Sequence, residues 1–185
     1  KRIDIIKSPD APNKIRLIGE VQYDSLNAKA ELYWFEVDRE YAEYLSSSGN
    51  PWLVCLTPLA ITLGSPLEIN LPVDRTLLEN IEKLMYIWKS WYPHLHIVPI
   101  EAEITDTPQN KIKKTATFFS GGIDSFFTIL RHNDENEKNA VHIDEVLTVW
   151  GFDISLNNSE AFYRMRSMLK KAADELKKDF VDIAT

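Results

Sequence analysis

The residues best suited to chemistry cluster between Thr115 and Arg131, in the stretch TATFFSGGIDSFFTILR. Ser120-Gly121-Gly122-Ile123-Asp124-Ser125 sets two adjacent glycines beside two hydroxyls and a carboxylate. Adjacent glycines let a backbone turn sharply and lie close to a ligand. Ser120 and Ser125 offer hydroxyl donors, and Asp124 offers an oxygen to a metal ion held on phosphates. In front stands a short apolar run that favours a strand, Ala116-Thr117-Phe118-Phe119. Behind, Phe126, Phe127, Ile129 and Leu130 recur at helical spacing. Strand, glycine turn and helix present unpaired N–H groups and the positive end of a helix dipole to an anion. The predicted chemistry is therefore phosphate binding. The plainer alternative is a glycine turn joining a strand to a helix, as in any α/β domain.

Three known phosphate or nucleophile patterns do not fit. The spacing is too short for a Walker A loop and no Lys precedes the Ser. The glycines are adjacent, unlike G-x-G-x-x-G, and G-x-S-x-G is absent. The stretch does match S-G-G-x-D-S, and it resembles the PP-loop of the ATP pyrophosphatases, the adenine nucleotide α-hydrolase-like superfamily. Asparagine synthetase, GMP synthetase, NAD synthetase and 7-cyano-7-deazaguanine synthase belong there. The resemblance covers about residues 112–185. It implies that the loop holds the pyrophosphate half of ATP and that a substrate is adenylated with release of pyrophosphate. ATP and magnesium are the implied cofactors, with Ser120, Gly121, Gly122, Asp124 and Ser125 on the nucleotide and Asp124 on the metal.

The resemblance also implies that adenine lies between the ends of the first two parallel strands and is read by backbone groups. That places Phe118 and Phe119 on one side, and Val149, Trp150 and Gly151 on the other. Trp150 either stacks on a base or packs as a core aromatic, and the sequence does not choose. Asp153 suits a ribose or a metal, but equally a turn or cap. Two other readings stay open: a nucleotide-binding module without chemistry, and an interaction protein. Implied partners are ATP and an unidentified small-molecule or protein substrate, with a homodimer left open.

The elements that must position these residues follow from periodicity. Ile15–Val21 and Glu31–Val37 read as two strands, with a turn over 24–27. Asp38 reads as the cap of a short helix carrying Tyr41, Tyr44 and Leu45. Residues 1–14, with Pro9 and Pro12, read as a loose lead-in. Trp52–Leu56 fits a buried strand or a buried helical turn equally, with Pro58 and Gly64-Ser65-Pro66 breaking the run. Leu67–Leu71 reads as a strand. A helix follows with Leu77, Ile81, Leu84, Trp88 and Trp91 on one stripe, predicted to be core. His96–Ile104 reads as a strand with an edge or bulge at Pro99.

Residues 105–114 mark a boundary between an α+β domain at 1–106, of no recognised type, and the nucleotide domain at 112–185. A solvated loop over 132–139 separates the glycine helix from the strand Glu145–Trp150. Asn157 reads as the cap of a long helix with Phe162, Met165, Leu169, Ala172 and Leu176 on one face. Phe180–Ala184 begins a third strand.

The expected fold class is α/β, a parallel sheet of partial Rossmann-like HUP/PP-loop topology preceded by the smaller α+β domain. Ala116–Phe119, apolar throughout, is expected to be buried on both faces and paired on both edges. Its second neighbour in that topology comes from a strand after Thr185, so the chain reads as the front part of a longer one, with residues 96–104 as the alternative neighbour.

Composition narrows the classes. The chain has 185 residues and a net charge of −7. Residues 1–110 hold 10 Lys and Arg against 16 Asp and Glu, a balance of −6; the rest hold 11 against 12, a balance of −1. Neither half is the basic surface of a nucleic-acid binder. Cys55 is the single cysteine, which excludes a disulfide framework and a cysteine zinc cluster. His94 and His96 show no zinc-ligand spacing. No apolar run reaches membrane-spanning length, and the expected location is the cytoplasm.

Overall fold

The computed structural model describes residues 3–9, 11–24, 28–106, 114–133 and 141–185. The turn expected over 24–27, the boundary over 105–114 and the loop over 132–139 lie largely outside them.

The alternating runs form the expected hairpin. β2 (Lys14–Val21) pairs antiparallel with β3 (Glu31–Asp38), Leu17 opposite Phe35. Residues 3–7 are not a loose lead-in. They form β1 (Ile3–Lys7), which adds to the outer edge of β2. In the second half, β6 (Ala116–Phe118), β7 (Glu145–Trp150) and β8 (Asp179–Ala184) run parallel, joined by α3 (Ile123–His132) and α4 (Ser159–Glu175). β8 then meets β3 antiparallel at Glu36 and Ala184.

The result corrects the expected fold class. The sheet is one mixed, six-stranded layer in the order β1-β2-β3-β8-β7-β6, not a Rossmann-like parallel sheet. Three of its five pairings are antiparallel. The cause is a long-range pairing: β8 takes β3 as its outer neighbour. Periodicity reports which face of a strand is buried, but not which strand lies beside it.

The two faces are covered unequally. Both crossovers step the same way along the sheet, so α3 and α4 lie on one face. Ile129 of α3 and Leu169 and Ala173 of α4 share a core with Val146 of β7. On the opposite face, α1 (Asn50–Leu63) packs Trp52 and Leu56 against Leu17 of β2. Gly19 is required there, because a Cβ would stand 2.6 Å from the Trp52 ring. β4 (Leu67–Asp74) and β5 (Ile100–Thr105) form a separate parallel pair joined through α2 (Arg75–Trp91).

Four further expectations are corrected. Residues 50–63 are one helix with Pro58 inside it. The ring costs that helix one backbone bond but does not end it, and buried Leu53, Leu56, Ala60 and Ile61 hold both sides together. On α2, Ile81 is buried and Leu77, Leu84 and Trp88 pack half-buried against the core as expected, but Leu78 and Met85 are buried too and Trp91 is 66 % exposed. The cap of α4 is Asn158, not Asn157; its side chain accepts from Ala161 N–H at 3.2 Å.

The fourth concerns β6, which is neither buried on both faces nor paired on both edges. Among the described residues it pairs with β7 alone, with Ala116 and Phe118 exposed and Phe119 buried. Residues 100–105 pair with β4 instead.

Candidate functional site

The S-G-G-x-D-S loop stands where β6 ends and α3 begins. Gly121 has φ +74°, in the left-handed region that favours glycine. A Cβ there would also meet Leu169 Cδ2 of α4 at 2.7 Å. Gly122 is the N-cap of α3 and makes no side-chain cap. The first bond of the helix runs from Phe126 N–H to the Gly122 carbonyl at 3.2 Å. The N–H groups of Ile123, Asp124 and Ser125 precede it and are free of the helix ladder.

Ser125 Oγ donates back to the Gly122 carbonyl at 2.8 Å, so its hydroxyl braces the turn. Ser120 Oγ accepts a long bond from Gly122 N–H at 3.4 Å. Asp124 is exposed on the first helical turn. Among the described residues no group of three His, Cys, Asp or Glu side chains is placed to hold a metal ion. Magnesium on a nucleotide commonly uses one or two carboxylates together with phosphate oxygens and water. The donor set Asp124 plus phosphate fits that pattern.

Beside the loop lies an open cleft of about 230 Å³ at the ends of β6 and β7. Phe118, Phe119, Ser120, Leu147, Thr148 and Val149 line its strand side. Phe152, Asp153 and Ile154, from the turn after β7, line the other, with Met165 of α4. Among the described residues, Asp153 is the single charged one in this lining.

The ladder shows how the cleft opens. Glu145 N–H and the Leu147 carbonyl bond to β6, at Thr115 O and Phe119 N. The Trp150 carbonyl bonds the other way, to Thr185 N. Odd-numbered residues of β7 therefore turn their backbone groups toward β6. The next rung would join Val149 N–H to the Phe119 carbonyl. Thr148 Oγ1 takes that acceptor instead, at 2.7 Å and buried. The N–H and C=O of Val149 are left facing the cleft.

The sequence-selected residues thus divide. Phe118, Phe119, Ser120, Val149 and Asp153 meet at one cleft, and Gly121, Gly122, Asp124 and Ser125 form the loop beside it. Trp150 points the other way. Its ring stacks on Phe162 at 4.6 Å and 6°, and its Nε1 donates to the Ser155 carbonyl at 3.1 Å. Of the two roles open to it, the structure places it in packing. Gly151, at φ +119°, makes room for the Thr185 carbonyl, which a Cβ would meet at 2.1 Å. That close approach is by the chain itself.

Thr148, Phe152 and Leu169 were not singled out by sequence as site residues. A lone hydroxyl inside the apolar run EVLTVW was the available signal for Thr148. Nothing local marks the others.

A charged cluster ties the sheet together away from the cleft. Asp182 of β8 is 5 % exposed. It accepts from Lys14 of β2 at 3.0 Å and from Arg166 of α4 at 2.7 Å. Burial acts to raise its pKa, but the two cations outweigh that and hold the carboxyl below its ordinary range. Arg16 and Glu36 pair beside it at 2.7 Å, with the Arg16 guanidinium 4.1 Å from the Trp34 ring centroid.

No protein-family model matches the chain, and no curated protein or solved structure is detectably similar to it.

Proposed function

We propose that the chain binds ATP at the ends of β6 and β7 and adenylates a substrate, releasing pyrophosphate. The observation that carries this reading is the uncapped start of α3 behind an S-G-G-x-D-S turn, with Gly121 at positive φ. Helix N-termini of this kind receive phosphate through free N–H groups and the dipole. The cleft is smaller than the roughly 300–1,000 Å³ that encloses a drug-sized ligand. It suits the base, while the phosphates lie on the exposed loop next to it.

In this arrangement the N–H groups of Ile123, Asp124 and Ser125 face the pyrophosphate half. An acceptor oxygen of the substrate attacks the α-phosphorus. The bond from that phosphorus to the bridging oxygen breaks, and pyrophosphate leaves with the electron pair. Charge grows on the leaving oxygens, where fixed N–H donors stabilise it without reorganising. Asp124 would hold magnesium, which when bound neutralises phosphate charge. The resemblance to PP-loop ATP pyrophosphatases supports the same assignment. The test is a pyrophosphate-release assay with the full chain, MgATP and a panel of carboxylate and amide acceptors. Acceptor-dependent pyrophosphate is expected; release of orthophosphate instead would exclude the chemistry.

A second reading, nucleotide binding without turnover, is favoured by one observation. Among the described residues no Lys, Arg or His lines the cleft, so no side-chain cation is in place to stabilise a transition state. Tight MgATP binding with no pyrophosphate release from any acceptor would select this reading.

A further inference from the structure

We propose that Phe118 and Phe152 clamp the nucleobase between them, making this site selective for nucleotides over free phosphates. The proposal rests on the nucleotide reading above and names what holds the base. Both rings line the strand-end cleft, and both are largely in water, 66 % and 69 % exposed. The aromatic rings around them are already paired. Phe119 packs edge-on against Phe126, and Trp150 stacks on Phe162, which also meets Tyr163. Neither Phe118 nor Phe152 packs on another ring among the described residues.

The two are held by different elements. Phe118 is the last residue of β6 and points to the sheet face away from α3 and α4, because its neighbour Phe119 points inward. Phe152 rides the turn after β7, closed by Gly151 N–H to the Ile154 carbonyl at 3.1 Å. Behind that turn the Thr185 carbonyl fills the space beside Gly151. Phe152 is thus presented from a braced turn.

The rest of the lining fits a flat, uncharged ring. Among the described residues Asp153 is its single charge, which does not attract phosphate. Val149 offers an N–H donor and a carbonyl acceptor side by side, which suits the edge of a base. Stacking tolerates any base, since each has a π-face, while the backbone groups select among them.

The experiment is calorimetry on the full chain with two probes, MgATP and magnesium pyrophosphate. Phe118→Ala and Phe152→Ala are compared with the wild type, and Phe152→Tyr serves as the rescue. Each alanine variant is expected to weaken MgATP binding about ten-fold or more, the range seen when a base loses an aromatic partner. Pyrophosphate affinity should stay within about two-fold, and Phe152→Tyr should restore MgATP binding. If both alanine variants bind MgATP like the wild type, the clamp is overturned and the nucleotide reading stands. If they weaken both probes equally, the rings shape the loop and do not hold a base, which also overturns it. A wild type that binds pyrophosphate but not MgATP contradicts the clamp directly. A wild type that binds neither probe removes the clamp together with the nucleotide reading.

Discussion

Thr148 Oγ1 donates to the backbone carbonyl of Phe119 across the ends of two parallel strands, at 2.7 Å and out of water. This bond replaces the rung that Val149 would otherwise make. The β6–β7 ladder therefore stops one rung early and leaves polar backbone at the cleft.

Replacing Thr148 by Val keeps the volume and β-branching but leaves the Phe119 carbonyl without its donor. A buried acceptor left unpaired costs about 1–3 kcal/mol. Urea denaturation of Thr148→Val should show a loss in that range, and Thr148→Ser should recover most of it. A Val variant as stable as the wild type would show that Val149 N–H moves in to complete the ladder.

Gly121→Ala should destabilise the fold by about 1–2 kcal/mol through the left-handed backbone alone. The contact with Leu169 adds to this, although Leu169 Cδ2 ends a flexible side chain that can turn aside. Pairing the change with Leu169→Ala separates the effects: it relieves the contact but not the strain of φ. Thermal unfolding of the set measures both. A fully neutral Gly121→Ala would contradict the turn geometry.

The Asp182 cluster makes stability depend on pH. The folded carboxyl is held below its ordinary pKa of about 3.9 by Arg166 and Lys14. A depressed pKa stabilises the fold above the unfolded value, and that contribution fades as pH falls through the folded one. Asp182→Asn should cost about 1–3 kcal/mol near neutrality, since Arg166 loses its carboxylate while Lys14 keeps Asp38 at 3.5 Å. The gap between wild type and variant, read by urea denaturation, should close progressively below pH 4. A gap independent of pH would mean that the cations do not recognise the ionised carboxylate.

Much of the local structure was legible because it depends on local chemistry. Leu17 and Phe35 lie in the two β-favouring runs and face each other in the hairpin. The glycine turn sits between a strand and a helix, as its neighbours require. What failed was long-range. Nothing around Glu36 announces Ala184 as its partner, so the mixed sheet was not foreseeable from periodicity.

Pro58 misled because tertiary packing outweighs one missing helical bond. Trp91, at the end of α2, continues the stripe in sequence but is exposed, because a stripe records amphipathicity and not what packs against it. At the site, the loop was readable from composition. The cleft was readable in part: Phe118, Phe119, Ser120, Val149 and Asp153 line it, whereas Phe152 reaches it through a turn and Trp150 stacks on Phe162 instead.

Whether phosphate sits at the start of α3 is tested most directly by calorimetric titration of MgATP into the wild type and Asp124→Asn. Asp124 is exposed and, among the described residues, braces no other side chain, so the variant should unfold within about 1 kcal/mol of the wild type, the scale of a surface charge at a helix N-terminus. The account predicts one saturable site per chain in the wild type. In Asp124→Asn it predicts clearly weaker binding, with the difference lost when EDTA removes magnesium. No saturable binding by the wild type, or the same magnesium-dependent affinity in both proteins, would contradict it.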